Sequence, residues 1–409
     1  MVLMSIFYLI FILLAIYFSW NYDGIEEYDS RKQHRLWLMC GYLICLSGFS
    51  YKLGADKFMY LDEFELYPNS FSEASDYIWI NFMLRGQMPL WTLLNLFCKI
   101  NFDSFYVVQF IESTVVNITI CYLASQYTRR YFLFLLVYFL SLQYFIFNTE
   151  VMREGFALSL GLLSIHEYLN GKKWLIAILL PIAFLFHISV AIVLLFPFLN
   201  FTISWKSLIY AAIAAVLIWF FGDKILGGLI IKALGGQGAF AQKILYYSMQ
   251  TSNIFGFTRA LITYLILPFI VMYTNLTTEE SPEQKKKKEK LISFMLILAV
   301  MASSFAGAGF IRFYNYTQFF YLVMLTDFIY TLLLIKKHLL LRIGTLAATV
   351  FLIILSYFAH YESTNSYFYE FFYPYTCILD ENVDVQFREI AHQEAVTLEE
   401  RDDNVRSIE

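Results

Sequence analysis

The sequence predicts an all-α polytopic membrane protein with about 11–13 transmembrane helices, some of them broken or re-entrant. Of its 409 residues, 59% are hydrophobic and 15% are charged, whereas soluble domains contain roughly 45–50% apolar and about 25% charged residues. Apolar runs recur along the chain, and a helix needs about 20 such residues to cross the hydrocarbon core. Phe (42) and Tyr (31) are abundant, and tyrosine suits membrane interfaces and the walls of wet cavities.

The apolar runs follow one another with short polar connections. They cover residues 2–20, 36–53, 104–127, 131–147, 152–169, 174–200, 204–221, 258–275, 291–310, 313–335 and 339–358. The stretch 76–100 is more mixed, since it contains Arg85, Gly86 and Pro89, and it indicates an interfacial or re-entrant helix pair. The first run lacks a charged leader segment and a small-residue cleavage site, so we expect it to remain as a transmembrane helix.

One membrane domain is expected over residues 1–375, with outer-face loops at 54–103 and 222–257. Residues 376–409 are expected to form an acidic polar tail. From Asp380 to Glu409 the chain carries ten acidic and three basic residues, a net charge of −7 against −4 for the whole chain. This composition favours a poorly ordered appendage, with a short helix around Val385–Ala395 as the alternative.

Basic residues in short loops predict the orientation, because Lys and Arg concentrate on the cytoplasmic side. The basic clusters are Arg31–Arg35, Arg129–Arg130, Lys172–Lys173, Lys285–Lys290 and Lys336–Lys337. All of them fall on one side if the N-terminus is outside and the run 174–200 is a hairpin that turns near Phe186–Ser189. The alternative is that residues 222–257 re-enter. The hairpin topology directs the following charged residues to the external face: Asp56, Asp62, Glu63, Arg153, Glu154, Arg259 and Arg312.

Arg153 and Glu154 open the helix predicted for the run 152–169, directly after an uncharged span. A guanidinium beside the free N–H groups of a helix N-terminus makes an anion site. The alternative is interfacial anchoring, in which the long side chain extends to the lipid headgroups.

His187 is the only ionisable side chain between Lys173 and Lys206. An ionisable residue is costly to bury in hydrocarbon, so a functional role is favoured over a structural one. A neutral imidazole could act as a general base or hydrogen-bond a substrate hydroxyl.

Arg312 lies between two predicted spans, among small and aromatic residues that include Tyr314. The small residues would let a ligand approach closely, and the aromatic rings could stack on sugar faces. Headgroup anchoring is again the alternative.

Carboxylates supply the remaining candidates. Asp56 is followed by Tyr60, Asp62 and Glu63 in a predicted outer loop, where carboxylates are usually only solvated. Glu112 lies within a span, so we expect it to pair with a buried arginine.

The sequence lacks the motifs that are typical of several kinds of site and enzyme. The five cysteines include no CxxC pair, so neither a disulfide framework nor a zinc site is expected. The absence of a Walker A loop, a GxSxG elbow, an HExxH pair and a dinucleotide glycine pattern argues against ATP hydrolysis and soluble-type hydrolases. The lysine run Lys285–Lys288 is interpreted as a topology determinant, not a nucleic-acid site. We expect no metal or other cofactor.

At these residues the chain resembles the EpsG family, the Wzy-like polymerases of bacterial exopolysaccharide and capsule, over about residues 36–320. Gly54-x-Asp56, followed by Tyr60, resembles the family's Gly-x-Asp…Tyr stretch. Met88-Pro89-Leu90-Trp91 is similar to its Glu-Pro-Gly/Leu-aromatic element, with Met88 in place of the acidic residue.

Three later blocks carry the rest of the resemblance. Met152–Ala157 resembles an Arg-Gln-x-x-Ala block, with Glu154 where Gln is commoner. Leu185–Ser189 is similar to a Phe-His-x-Ser block and is the most specific match. Arg312-Phe313-Tyr314 resembles the late Arg-aromatic block.

The resemblance implies a membrane glycosyltransferase of the C type that joins polyprenyl-pyrophosphate-linked oligosaccharide repeats at the outer face of the bacterial inner membrane. Its partners would be the lipid-linked oligosaccharide, the bilayer, a flippase and a chain-length regulator. Arg153, Arg312 and Arg259 would bind the pyrophosphate, and His187 or Asp56 would deprotonate the acceptor hydroxyl. Substrate binding would involve Glu154, Tyr60, Asp62, Glu63, Glu112 and Tyr314.

Two other classes of membrane protein also have many spans and charged residues within the membrane. A flippase for lipid-linked sugars should show charges on both sides or two matching halves, but the charges here cluster outward and no halves match. A membrane O-acyltransferase also uses an intramembrane histidine, but it needs a cytoplasmic acyl donor, while His187 is predicted to open outward.

Overall fold

The computed structural model describes residues 2–25, 29–234, 253–277, 281–304, 308–334, 371–380, 385–390 and 392–393. Over these residues the ordered elements are helices, together with an isolated antiparallel bridge between Ser50 and Cys377. The predicted all-α fold is confirmed for this part of the chain.

The first part of the chain forms helices joined by short connections. They are α1 (Val2–Tyr22), α2 (Ser30–Gly48), α3 (Asp56–Glu65), α4 (Ala74–Ile80), α5 (Pro89–Phe102) and α6 (Phe105–Tyr127). Helix α4 continues as a π-helix over Asn81–Arg85 and ends at Gly86, whose φ of 62° lies in the left-handed region that favours glycine. The mixed stretch 76–100 is thus a helix pair, as predicted.

The later helices are α7 (Tyr131–Leu140), α8 (Gln143–Phe145), α9 (Met152–Leu169), α10 (Ile176–Phe184), α11 (Trp205–Leu234), α12 (Ile254–Leu276), α13 (Pro282–Ser304) and α14 (Ala308–Leu334). A π-helix over Ile146–Glu150 extends α8, and a 3₁₀ helix over Ile188–Phe198 follows α10. The predicted run 339–358 and the pair Lys336–Lys337 lie outside the described residues.

Among the described helices, α6 and α12 are long and apolar enough to cross a membrane. The bent pair formed by α7 and Gln143–Glu150 adds a third crossing if it counts as one span. Shorter apolar helices cover Ile6–Tyr22, Lys173–Phe184, Ile188–Phe198 and Trp205–Phe221. These helices are those of a helical membrane protein.

The run 131–147 is not one straight helix, contrary to the prediction. The chain bends by 80° between α7 and Gln143–Glu150. Leu142 adopts a left-handed φ of 63°, which interrupts the helical hydrogen bonds. Side chains other than glycine disfavour this region, so the bend must come from tertiary packing, and no Gly or Pro marks it in the sequence.

The run 174–200 is divided where the turn was predicted. Helix α10 ends at Phe184, the 3₁₀ helix begins at Ile188, and the two helices pack against each other. His187 adopts an extended conformation (φ −158°, ψ 131°) and caps the second helix. A polar side chain therefore sits at the break in an otherwise apolar segment.

Two predicted boundaries differ from the structure. Helix α11 continues to Leu234 and α12 begins at Ile254, so only residues 235–252 of the predicted loop 222–257 remain, and these lie outside the described residues. Arg312 lies inside α14, near its start, and not between two spans. Apolar composition alone does not reveal how far a helix extends beyond the hydrocarbon core.

The chain divides into two compact units. Unit 1 contains Met1–Glu73, Leu94–Gly155 and Thr349–Glu409, and unit 2 contains Ala74–Leu93 and Phe156–Ala348. The candidate residues divide between them, because Asp56 and Arg153 belong to unit 1, whereas His187, Arg259 and Arg312 belong to unit 2.

At one end of unit 1 two of the predicted cytoplasmic segments meet. The Lys32 Nζ donates to the Arg129 carbonyl at 2.5 Å, and Arg130 donates to the Asp23 carbonyl. Asp23 accepts the backbone N–H of Leu133 at 2.8 Å. The basic residues of both segments therefore lie at the same end of the unit.

Candidate functional site

In unit 1, Glu150 holds the start of α3. Its Oε1 accepts the backbone N–H of Ala55 at 2.7 Å, and its Oε2 accepts that of Asp56 at 3.2 Å. The first N–H groups of a helix have no partner within it, and a negative charge there is favourable. Glu150 thereby fixes the backbone that carries the Asp56 side chain.

Gly54 brings this backbone close to the end of the π-helix. Its φ is 98°, and a Cβ at this position would lie 3.0 Å from both the Cβ and the carbonyl oxygen of Thr149. Only glycine adopts this conformation without strain and leaves room for the approach. The Gly54-x-Asp56 spacing therefore has a steric reason.

Arg153 lies in the first turn of α9 and stacks on α3. Its guanidinium carbon is 5.4 Å from the centre of the Tyr60 ring, a cation–π geometry. The Tyr60 hydroxyl donates to the Glu150 carbonyl at 3.2 Å, which holds the ring in place. Asp56 and Glu63 act electrostatically on the guanidinium. The structure thus brings Asp56, Tyr60 and Glu63 together around Arg153, which lies in the first turn of a helix.

Lys57, the residue after Asp56, is fully buried. Its Nζ donates to Gln109 Oε1 at 2.7 Å and to Met152 Sδ at 3.1 Å. Burial lowers its pKa to about 7, a shift that Glu112 and Glu150 oppose. A second basic side chain is therefore held inside the unit, next to Asp56 in the sequence.

Glu112 is paired with a different residue from the one predicted. It is fully buried, neither of its carboxylate oxygens has a hydrogen-bond partner, and it interacts electrostatically with Lys57. A lysine that follows Asp56 therefore takes the place of the expected arginine. The carboxylate lies deep in the unit, where it balances the buried ammonium.

The other acidic candidates of unit 1 differ in exposure. Glu154 is buried and 1% exposed. Glu63 is half-buried, with one carboxylate oxygen that lacks a hydrogen-bond partner. Asp62, which lies on the same helix as Glu63, is exposed. Glu63 acts electrostatically on the Arg153 guanidinium.

Sequence reasoning missed Glu150 and Lys57 as members of this cluster. Both contacts join residues more than 50 positions apart, between Lys57 and Gln109 and between Glu150 and Ala55. Two sequence features point to these residues. Glu150 lies three residues before Arg153, at the end of a span, and Lys57 follows Asp56 directly.

In unit 2, His187 begins a short chain of hydrogen bonds. Its Nδ1 is 2.6 Å from Ser189 Oγ, which is 2.9 Å from the hydroxyl of Tyr316. Ser189 and Tyr316 are buried, and His187 is half-buried. The three side chains form a relay that runs from the half-buried imidazole into the unit.

The backbone of Ser189 decides the tautomer of the neutral imidazole. Its N–H lies 3.3 Å from His187 Nδ1 and can only donate. Nδ1 is therefore an acceptor, and the proton of the neutral ring is on Nε2. A ring in this state offers a hydrogen-bond donor from Nε2, whereas a base acting from Nε2 would require the other tautomer.

The Met88–Trp91 element packs around this turn. The Leu90 N–H donates to the Leu185 carbonyl at 2.9 Å. Phe156 stacks on Phe186 with ring centres 4.7 Å apart and meets Trp91 at 6.3 Å. Three of the sequence blocks thus pack together in unit 2 and support the His187 turn.

Two of the remaining candidates of unit 2, Tyr314 and Arg259, share Tyr264 as a partner. Tyr314 is 2% exposed and meets Tyr264 edge-on at 5.3 Å. Arg259 interacts electrostatically with Tyr264. Arg312 is half-buried near the start of α14. Among the described residues, no group of three or more His, Cys, Asp or Glu side chains could hold a metal ion.

Comparison with known proteins gives one family. The EpsG family model matches residues 35–377, which include every motif block described above. No curated protein matches the chain, and neither does any solved structure.

Proposed function

Because the chain belongs to the EpsG family, a polysaccharide polymerase-like family, we propose that it polymerises lipid-linked oligosaccharide repeat units. The donor is a polyprenyl-pyrophosphate-linked chain, and the product is exopolysaccharide or capsule. The proposed setting is the bacterial inner membrane, with the site open to the periplasm or exterior. We also propose about 11–13 spans in a glycosyltransferase C-like arrangement.

The arrangement of Arg153 is the observation that carries the proposal. A guanidinium held over Tyr60 at 5.4 Å, in the first turn of α9, suits an anion with several oxygens. In glycosyl transfer the anomeric carbon–oxygen bond to pyrophosphate breaks, and negative charge develops on the leaving group. A fixed cation in a low-dielectric site stabilises that charge in the transition state. Arg259 and Arg312 are proposed as further pyrophosphate ligands.

Asp56 is the proposed general base. As the acceptor hydroxyl oxygen forms a bond to the anomeric carbon, its proton passes to the Asp56 carboxylate. Glu150 holds the Asp56 backbone at the start of α3, which keeps this carboxylate in a defined place. A positioned base typically contributes about 10²–10⁴-fold to the rate.

His187 is proposed as a hydrogen-bond donor to the substrate through Nε2, in place of the base role. The Ser189 N–H at 3.3 Å makes Nδ1 an acceptor, which supports the Nε2 tautomer. Substrate contacts are further proposed for Tyr60, Glu63, Asp62, Glu154, Glu112 and Tyr314. A flippase that supplies the donor and a chain-length regulator are the proposed protein partners.

The test is a reaction of the purified protein in liposomes with a polyprenyl-pyrophosphate-linked repeat, followed by product length on a gel. A ladder of longer products is expected. Transfer across the bilayer with unchanged length would instead support a flippase, and added acyl mass would support an O-acyltransferase.

An Asp56→Asn variant tests the base in the same assay. The polymerisation rate is expected to fall about 10²–10⁴-fold, while the protein remains monodisperse. Asp76→Asn, which changes an exposed carboxylate outside the cluster, is the matched control and should polymerise at the parental rate. An active Asp56→Asn protein would remove Asp56 from the base role.

A further inference from the structure

The C-terminal segment 371–378 pairs with the loop that precedes α3, within unit 1. The Tyr51 N–H donates to the Thr376 carbonyl at 2.8 Å, and the Ile378 N–H donates to the Phe49 carbonyl at 2.9 Å. The Gly54 N–H donates to the Phe371 carbonyl at 3.1 Å. These backbone bonds hold the loop up to two residues before Asp56.

Arg388 joins both sides of this pairing and is fully buried. Its Nη1 donates to Thr376 Oγ1 at 2.6 Å and to the carbonyls of Tyr51 and Lys52 at 3.4 Å. Its Nη2 donates to the Pro374 carbonyl. A buried guanidinium is costly unless its N–H groups have acceptors, and here acceptors come from the loop and from the C-terminal segment. Arg388 therefore favours the docked arrangement over a separated one.

Two more contacts extend the docking toward α3. Lys52 Nζ and Glu389 Oε1 form an ion pair at 2.5 Å. The His392 ring stacks on Phe58 with centres 5.1 Å apart. The segment therefore reaches both the loop before Asp56 and the first turn of the helix that carries it.

We propose that the described residues 371–380, 385–390 and 392 form a strap that sets the position of Asp56, and that Arg388 is its positioning residue. The strap contacts the loop and the helix turn that flank Asp56, and the proposed orientation places both on the external side. The catalytic part of this inference rests on the proposed function, whereas the docking itself does not. A displacement of about 1 Å at a reacting group can cost about 10²-fold in rate.

A crosslink tests the docking without any activity. Ser50 and Cys377 face each other across a non-hydrogen-bonded antiparallel bridge, because the flanking residues make the hydrogen bonds. The Cα atoms of such a pair lie about 4.5 Å apart, which a disulfide spans. Ser50→Cys, with the other native cysteines replaced by alanine, should form a disulfide to Cys377 under mild oxidation in membranes. The same variant with Cys377→Ser is the control.

Peptide mass spectrometry identifies the linked peptides. If both thiols react with a small maleimide but no disulfide forms, the docking is wrong. An impermeant maleimide should also label a cysteine placed at Leu379, which is 78% exposed, from the outside. Labelling only after the membrane is opened would overturn the external strap.

Arg388→Ala tests the positioning role. We expect kcat per folded protein to fall about 10-fold or more with KM little changed, because the donor-binding arginines are untouched. The double variant Arg388→Ala, Ser50→Cys should regain the parental kcat when it is oxidised. The disulfide between residues 50 and 377 then replaces the lost hydrogen bonds. Arg31→Ala, which removes a 79% exposed guanidinium, is the control.

The outcomes separate the two proposals. A parental kcat for folded Arg388→Ala would overturn the positioning role, and so would a loss that the crosslink does not restore. A parent protein without polymerase activity would remove the proposed function, and with it any catalytic role of Arg388. The disulfide between residues 50 and 377 would still decide whether the strap docks.

Discussion

The polar clusters of the two units are built in different ways. In unit 1 the charges are held by contacts between distant segments, such as Glu150 with Ala55 and Lys57 with Gln109. In unit 2 the relay begins with the neighbours His187 and Ser189 and adds one distant group, Tyr316. The first cluster places ionisable groups around the Arg153 guanidinium, whereas the second links an imidazole and two hydroxyl groups by hydrogen bonds.

Under the proposed function, this difference predicts different roles for the two clusters. A fixed cation suits the stabilisation of charge on a leaving group, because it needs no reorganisation during the reaction. A neutral relay suits the orientation of hydroxyl groups, which an uncharged donor does without a large desolvation cost. Variants in unit 1 should therefore have larger effects on the rate than conservative variants in unit 2.

Arg153→Lys is expected to have the largest effect of the variants that sharpen this contrast. An ammonium is a point charge and cannot reproduce the planar donor set of the guanidinium or its stacking on Tyr60. Loss of one transition-state donor typically lowers kcat about 10²–10³-fold. The measurement is the initial rate of polymer formation, with Arg31→Lys as an exposed control. A folded Arg153→Lys protein with the parental rate would make Arg153 a membrane anchor.

His187→Gln should have a smaller effect. The glutamine amide can offer an N–H near the position of Nε2, so we expect a loss of about 10-fold, whereas His187→Ala should lose about 10²-fold or more. Rates of both variants at several pH values provide the measurement. If glutamine is as inactive as alanine, the donor role is wrong and His187 becomes the candidate for the general base in place of Asp56.

Lys57→Met addresses stability instead of catalysis and should give the smallest effect. Lys57 lies on the short helix α3, outside the apolar spans, and burial lowers its pKa to about 7. In the unfolded chain its pKa is about 10.4. Between these values the unfolded state binds more protons, so the parent gains stability as the pH rises above 7.

The methionine variant lacks this titration. Any advantage over the parent in unfolding free energy should therefore shrink by about 1–2 kcal/mol between pH 7 and about pH 9. Thermal unfolding in detergent at both pH values measures it, with the exposed Lys172→Met as control. An equal difference at the two values would mean that Lys57 stays charged in the folded protein.

Local features of the fold were predictable from the sequence. The start of α9 at Met152 follows from the apolar run, and the break at His187 follows from a polar residue in an apolar segment. Both depend on neighbours in the chain, because helix periodicity and turn preferences act over a few residues. Arg153 could therefore be identified as a residue at the N-terminus of a helix.

Features that depend on distant segments could not be predicted in this way. The bend at Leu142 has no Gly or Pro to mark it. The burial of Arg388 among the carbonyls of residues 51, 52 and 374 contradicts its acidic, polar surroundings in the sequence. In both cases tertiary packing overrides local preference, because a few hydrogen bonds to distant backbone atoms outweigh it.

Gly155 has a consequence for natural variation of this protein. A Cβ at this position would lie 2.5 Å from Glu112 Oε1 and 2.8 Å from the Phe147 carbonyl, both too close for any side chain. The Glu112 side chain could rotate away, but the backbone of residue 147 would have to move. We therefore expect orthologous chains to retain glycine at 155, whichever residue stands at 112.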